Sequence, residues 1–96
     1  FDPLSRMLAT QETFREMTRA TQVMADDICG GKVVMVHEGG YSEFHVPFLG
    51  HAVLEEMSGS AVRATDPFAE TLAKRQPAAG FDAYVDGLIE EMRAAL

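Results

Sequence analysis

The residues with the clearest chemical potential are four consecutive ones, Glu38-Gly39-Gly40-Tyr41. Two adjacent glycines let the backbone turn sharply or come close to a ligand. The tyrosine that follows offers a phenol hydroxyl that can donate a hydrogen bond. The pattern fits a site at which Tyr41 donates to a ligand, and it also fits a simple strand-to-helix turn with a half-buried tyrosine.

Three histidines and one cysteine are the other residues that could bind a metal or act in catalysis. His37, His45 and His51 lack the four-residue spacing that places two histidines on one face of a zinc-binding helix, and no cysteine pair accompanies them. Cys29 has no evident base partner in the sequence that would activate a nucleophile. We therefore interpret the histidines as ordinary polar or half-buried side chains and Cys29 as a small apolar filler.

The segment before the two glycines is typical of a β-strand. Val33-Val34-Met35-Val36 is a continuous apolar run, rich in β-branched residues, which is the pattern of a central strand covered on both faces of a parallel sheet. We predict this strand near residues 32–37. Because ligands bind beyond the carboxyl ends of strands in open α/β sheets, the turn at residues 38–41 is well placed for a site.

A long helix is predicted before this strand. Thr10 can cap its first turn, and Gly30-Gly31 ends it, because glycine adopts the left-handed conformation at little cost. Five residues, four of them apolar, recur at alternating spacings of three and four and so share one face; they are Phe14, Met17, Thr21, Met24 and Ile28. Its polar residues are expected to face water; they are Arg15, Glu16, Arg19, Gln22 and Asp26.

Three further helices are predicted after the strand. The second helix runs from near Pro47 to Ser58-Gly59, with Glu55-Glu56 on a solvated face. The third begins at Asp66-Pro67, which supplies a capping oxygen and a fixed φ angle. The last covers about residues 81–96 and carries an apolar stripe with a period of 3.6 residues.

The predicted order of elements leaves one strand without a neighbour. An unpaired strand in a core leaves backbone hydrogen-bonding groups unsatisfied, which is costly. The neighbouring strands must therefore come from residues not in this chain or from another molecule. We expect a mostly helical chain that is the tail of a larger α/β domain, and a first residue other than methionine agrees with that expectation.

Composition excludes several classes of protein. A chain of 96 residues with 47% hydrophobic content holds one domain at most and is not disordered. Its net charge of −7 argues against nucleic acid as a partner. No apolar run is long enough to span a bilayer, and a single cysteine allows reducing conditions. The opening residues lack a basic-then-apolar pattern, so we expect no secretion signal. We expect a cytoplasmic protein that binds neither nucleic acid nor membrane.

A longer stretch around the two glycines is a far more specific signal than the glycines alone. Residues 37–59, HEGGYSEFHVPFLGHAVLEEMSG, strongly resemble the C-terminal part of the histone deacetylase family. The greatest likeness is to bacterial class II-like members, which include acetylpolyamine amidohydrolases. The opening DPLSRM at residues 2–7 resembles the family's DPLxRM loop, and Asp66-Pro67-Phe68 and Gln76-Pro77 resemble its tail. The resemblance covers nearly the whole chain.

The resemblance implies that residues 1–96 are the C-terminal segment of the single domain of a zinc-dependent amide hydrolase with the arginase–deacetylase α/β fold. In that family, zinc and a histidine pair activate a water that attacks an acetyl-lysine or acetyl-amine carbonyl. The tyrosine of the GGY motif donates a hydrogen bond to the oxygen that becomes negative, and Tyr41 matches it. Gly39 and Gly40 match the glycines that line the narrow substrate channel.

The family's zinc ligands match no position in this chain. They are an Asp-x-His pair and a later aspartate, which would fall just before the opening loop. Residues 80–83, GFDA, mimic the zinc motif, but they open an amphipathic helix and follow no strand, so we interpret them as a coincidence. We expect zinc in the complete enzyme with no ligand from this chain, and no activity from the chain alone.

The resemblance also implies the partners. They are the remainder of the deacetylase domain and an acetylated lysine or acetylated polyamine substrate, with a homo-oligomer left open. The competing hypothesis is a non-catalytic helical interaction module, in which the stripe of residues 81–96 docks on a partner helix or on a second copy. Such stripes are usually intramolecular core, which favours the enzyme.

Overall fold

Four helices make up most of the protein. A computed structural model describes residues 2–96, with α1 at Gln11–Cys29, α2 at Val46–Ser58, α3 at Ala69–Ala73 and α4 at Ala79–Ala94. Residues 2–96 contain no β-strand. Within the same residues, no helix is long and apolar enough to cross a membrane.

The ends of α1 are those that the sequence predicts. The Thr10 hydroxyl accepts the backbone N–H of Thr13 at 3.2 Å, and the Thr13 hydroxyl accepts the backbone N–H of Thr10 at the same distance. Gly30 ends the helix in the left-handed conformation, with a φ of 63°, and its N–H donates to the carbonyl of Ala25. These reciprocal bonds satisfy backbone groups that a helix end otherwise leaves unpaired.

The small core lies between α1 and α2. Thr18 and Ala25 of α1 are buried, and Ala52 of α2 has no exposed surface at all. Residues this small let two helix backbones approach closely. The Thr18 hydroxyl donates to the Phe14 carbonyl one turn earlier at 2.7 Å, so its burial leaves no unpaired polar group.

The expectation that the polar residues of α1 face water is wrong for Arg15, whose side chain is 13% exposed and pairs with α2. Met24 and Ile28 are 57% and 73% exposed, whereas Arg15 and Arg19 form ion pairs with α2. The reason is that α2 carries two carboxylates, Glu55 and Glu56, on the side that packs against α1. Their ion pairs with arginines place the arginine side of α1 against α2. Within residues 2–96, Met17, Met24 and Ile28 of the apolar face remain at least half exposed.

The strand predicted near residues 32–37 is not formed. The segment has no regular structure, and the side chains of Val34 and Val36 are 87% and 82% exposed. A strand is held by hydrogen bonds to a neighbouring strand, and residues 2–96 provide none. The order of elements is therefore corrected to four helices, and the parallel sheet of the expected α/β fold is not present in the part of the chain that the structure describes.

The C-terminal half packs loosely on this core. Leu72 of α3 is 3% exposed, and the amide of Gln76 donates to the carbonyl of Leu8 at 2.8 Å. None of the residues of α4 is buried, and Tyr84 and Met92 of its apolar stripe are 62% and 69% exposed. The expectation that this stripe forms intramolecular core is not met within residues 2–96.

Candidate functional site

Two consecutive left-handed residues turn the chain from residues 32–38 towards α2. Gly39 and Gly40 have φ angles of 71° and 83°, a region that residues with side chains rarely adopt. A Cβ atom on Gly40 would also lie 3.0 Å from a methyl of Val46 and 3.1 Å from Nε2 of His37. Glycine is therefore required at position 40 by the backbone angle and by the space around it.

The aromatic ring of Tyr41 lies beside the first of these glycines. A Cβ atom on Gly39 would meet Tyr41 ring atoms at 3.7 to 3.9 Å, an ordinary contact distance. The Tyr41 side chain is 59% exposed. Its hydroxyl makes no hydrogen bond to another group of residues 2–96, so it is free to donate to a molecule that approaches the turn. The three residues predicted for the site thus lie together.

The backbone of Tyr41 is tied to the opening loop. Its N–H donates to Oδ2 of Asp2 at 3.1 Å, and Oδ1 of Asp2 accepts the N–H groups of Leu4 and Ser5 at 2.8 and 2.9 Å. The backbone hydrogen bonds from Ser5 and then Tyr41 hold the pKa of the Asp2 carboxyl below its ordinary value, against a smaller effect of burial. Asp2 therefore carries a negative charge at neutral pH.

An apolar groove runs beside the turn, between α1, α2 and residues 35–38. Its volume is about 780 Å³, and its walls include Phe14, Met17, Met35, Val53 and Met57. Gly40 lies in its wall, whereas Tyr41 does not. The groove is the uncovered apolar side of the helix pair, and it can receive an apolar segment or ligand.

The three histidines have different environments. His45 is 3% exposed, with Nε2 at 3.3 Å from the carbonyl oxygen of Ala9. Its Nδ1 lies 3.1 Å from a carboxylate oxygen of Asp66, although the two are not aligned as a hydrogen bond. His51 is paired with Glu55 at 2.8 Å, and His37 is exposed. His45 therefore contacts both the segment before α1 and Asp66, whereas His51 pairs with Glu55 within α2.

The described residues do not provide the donor set of a zinc site. Within residues 2–96, no three histidine, cysteine, aspartate or glutamate side chains come together so that they could hold a metal ion. Asp82, from the GFDA lookalike, lies in the first turn of α4 and is exposed.

Glu55 is a buried carboxylate at the junction of α1, α2 and residues 60–65. Its side chain has no exposed surface, so the solvated position predicted for Glu55 is wrong. Oε2 accepts from Nε of Arg15 and from Arg63, both at 2.8 Å, and Oε1 accepts the N–H of Ala64 at 2.9 Å. Burial alone raises the pKa of Glu55. The bonds from Arg63, Ala64, Arg15 and His51 outweigh it and hold the pKa far below its ordinary value.

Replacing this carboxylate is expected to weaken the fold. Glu55→Gln removes the charge that two guanidinium groups share, so we expect the thermal midpoint to fall by several degrees. Because the folded-state pKa is lowered, the stabilisation is present above the ordinary carboxyl pKa and is lost as pH falls towards the folded-state value. The difference in thermal midpoint should therefore be largest near pH 7 and shrink on acidification.

Thermal unfolding of the complete protein between pH 7 and pH 3 measures this effect. Glu16→Gln is the matched control, because Glu16 is an exposed residue on α1. Equal thermal midpoints for Glu55→Gln and Glu16→Gln at neutral pH would contradict a stabilising role for the Glu55 cluster.

Known proteins are similar to this chain over most of its length. No protein-family model matches the chain. Over 93 residues, the chain is 43% identical to a "Histone deacetylase-like amidohydrolase" of Pseudomonas aeruginosa, which covers 97% of this chain and 24% of that protein. Over 79 residues, it is 33% identical to a "Probable deacetylase" of Archaeoglobus fulgidus, with 78% of this chain and 22% of that protein covered. The chain belongs to the histone deacetylase family.

Membership of the histone deacetylase family confirms the resemblance inferred from residues 37–59. The chain spans about a quarter of the length of the curated relatives it matches. The turn that carries Tyr41 is therefore one part of a histone-deacetylase-family protein, and the roles of Gly39, Gly40 and Tyr41 in it remain predictions.

Two residues of this histone deacetylase family chain were missed by sequence reasoning. The sequence indicates Asp2 only as part of the opening DPLSRM loop, although its carboxylate reaches Tyr41 across 39 positions. Glu55 was placed in solvent, although four groups bind it. The pairing of Asp2 with Pro3 signals a local turn, but no sequence pattern signals either long-range contact.

Proposed function

We propose that the chain is the C-terminal portion of a zinc-dependent deacetylase that hydrolyses the amide of acetyl-lysine or of an acetylated amine. The observation that carries the proposal is the 43% identity to a histone deacetylase-like amidohydrolase over 97% of the chain. The exposed, unbonded phenol on a two-glycine turn supports it, because such a group can donate to a substrate oxygen.

Tyr41 is proposed to stabilise the oxyanion. When water attacks an amide, the carbonyl oxygen gains negative charge, and a donor aimed at the place of that charge binds the transition state more strongly than the substrate. The hydroxyl of Tyr41 has no competing acceptor among residues 2–96. The phenol therefore needs no internal hydrogen bond to break before it donates.

Gly39 and Gly40 are proposed to form part of the wall of the substrate channel. A Cβ atom on Gly40 would crowd Val46 and His37, so this stretch of wall has to be bare backbone. An acetylated lysine and an acetylated polyamine both present a neutral amide on a long alkyl stem. A narrow channel with a glycine wall suits either stem, so the proposal includes both substrate classes.

The remainder of the deacetylase domain is proposed as the partner that completes the site. It would supply the zinc ligands, because residues 2–96 hold no suitable cluster. It would also supply the strands that flank residues 32–37, and so the arginase–deacetylase sheet. The exposed side chains of Val34 and Val36 and the apolar groove fit this proposal, since each would be covered by added structure.

Acetate release tests the proposed function. The complete protein that contains this chain is expected to release acetate from an acetyl-lysine peptide, from an acetylpolyamine, or from both. Treatment with a metal chelator is expected to abolish that release, and added zinc to restore it. If the complete protein hydrolyses neither substrate class when zinc is present, the proposal is contradicted.

A non-catalytic interaction module is the second candidate, and the surface of α4 favours it. Phe81, Tyr84 and Met92 are 52%, 62% and 69% exposed, so the helix presents an apolar stripe to a partner. The acetate assay separates the two candidates, because a docking module catalyses nothing. A compact monomeric chain that melts cooperatively on its own would also favour the module.

A further inference from the structure

The carboxylate of Asp2 joins the opening loop to the turn that presents Tyr41. One oxygen, Oδ2, accepts the backbone N–H of Tyr41 at 3.1 Å. The other, Oδ1, accepts the N–H groups of Leu4 and Ser5 at 2.8 and 2.9 Å. A single carboxylate thus receives three backbone donors, two from its own loop and one from the candidate site.

Asp2 is itself held by its backbone. Its N–H donates to the carbonyl of Met7 at 3.2 Å, and its carbonyl accepts the N–H of Arg6 at 2.8 Å. Arg6 has a φ of 57°, a left-handed conformation that is rare and strained for a residue with a side chain. The loop keeps this conformation, and so the carboxylate is presented by a closed and locally bonded turn.

The turn at residues 38–41 has little else to fix it. In the part of the chain that the structure describes, the bond to Asp2 is the one hydrogen bond that joins these four residues to another segment. Two of the four residues are glycines, the residue type with the most backbone freedom, and both adopt the left-handed conformation. The position of Tyr41 therefore depends on Asp2.

We propose that Asp2 is a positioning residue, whose carboxylate fixes the backbone of Tyr41 so that the phenol reaches the reacting carbonyl. The proposal rests on the proposed function, because it acts through the Tyr41 hydroxyl. It adds a residue from the opening loop that touches neither substrate nor metal. The lowered pKa of Asp2 agrees, since the three N–H groups favour the charged carboxylate.

The substitution Asp2→Asn tests this role with almost no change of shape. An amide has one acceptor oxygen, so its NH₂ group must face either Tyr41 or the donors of Leu4 and Ser5. Displacement of a catalytic group by about 1 Å can cost about 10²-fold in rate, so we expect kcat of the complete enzyme to fall by about 10-fold to 10²-fold. KM and zinc content are expected to stay unchanged, because Asp2 is proposed to touch neither the substrate nor the metal.

The double variant separates positioning from a general structural role. If Asp2 acts through the phenol, Asp2→Asn in a Tyr41→Phe background should lower kcat by less than about twofold further. Asp27→Asn is the matched control, because Asp27 is an exposed aspartate on α1. Asp2→Ser is the second variant if Asp2→Asn does not fold. A serine hydroxyl can bond the local turn but is too short to reach Tyr41.

Each result decides the proposal. A kcat of Asp2→Asn equal to that of Asp27→Asn would overturn it while leaving the proposed function intact. If Asp2→Asn lowers kcat by the same factor with and without the Tyr41 hydroxyl, the proposal is overturned too, because Asp2 then acts elsewhere. A normal rate for Tyr41→Phe alone would overturn the oxyanion role and the positioning role together.

Discussion

The isolated 96-residue chain is expected to release no acetate from an acetyl-lysine peptide or an acetylpolyamine, and to bind no stoichiometric zinc. Residues 2–96 provide an exposed phenol but no cluster of three metal-binding side chains. A hydrogen-bond donor without an activated water does not hydrolyse an amide. The expected effect is therefore complete loss of turnover relative to the complete protein.

Zinc stoichiometry and acetate release, measured on the isolated chain, check this expectation. The complete protein is the positive control, assayed at the same molar concentration. We also expect the isolated chain to aggregate or to unfold without a sharp transition, because Val34, Val36 and Ile28 are 87%, 82% and 73% exposed. Turnover accompanied by one bound zinc per chain would contradict the proposal that the remainder of the domain supplies the zinc ligands.

The ends of α1 and α2 could be predicted from the sequence, because the physics that sets them is local. Thr10 caps α1 through a bond to Thr13, and Gly30 and Gly59 end α1 and α2 in the left-handed conformation. Each of these features involves residues a few positions apart. The turn at Gly39 and Gly40 is local in the same sense, and its two glycines are visible in the sequence.

Features that depend on distant partners could not be predicted. The segment 32–37 has the composition of a strand, but a strand also needs a neighbour, and residues 2–96 hold none. The spacing of residues in α1 does not reveal that Arg15 packs inwards, because its ion pair is with Glu55 of α2. The bond between Asp2 and Tyr41 spans 39 positions, so neither residue signals the other.

Tyr41→Phe is expected to lower kcat of the complete enzyme by about 10²–10³-fold, the usual cost of removing one oxyanion donor. The phenylalanine ring can keep the place of the tyrosine ring beside Gly39 and loses only the hydroxyl. Zinc content should be unchanged, because Tyr41 is not proposed as a ligand. Both substrate classes should be affected alike, since the developing oxyanion is common to them.

Tyr84→Phe provides the matched control for this variant. Tyr84 lies on α4 and is 62% exposed, close to the 59% of Tyr41, so the two substitutions remove similarly accessible hydroxyls. Steady-state kcat and KM for both variants, with thermal midpoints, separate a lost donor from a damaged fold. A fall in kcat for both variants in proportion to their thermal midpoints would count against a specific role for Tyr41.

The central claim is that the Tyr41 hydroxyl donates to the oxyanion in the chemical step. The most direct measurement is the single-turnover rate of acetate release by the complete protein and its Tyr41→Phe variant, with zinc determined on the same preparations. We predict a rate constant lowered by about 10²–10³-fold at equal zinc content. A single-turnover rate constant for Tyr41→Phe equal to that of the unsubstituted protein would contradict the claim.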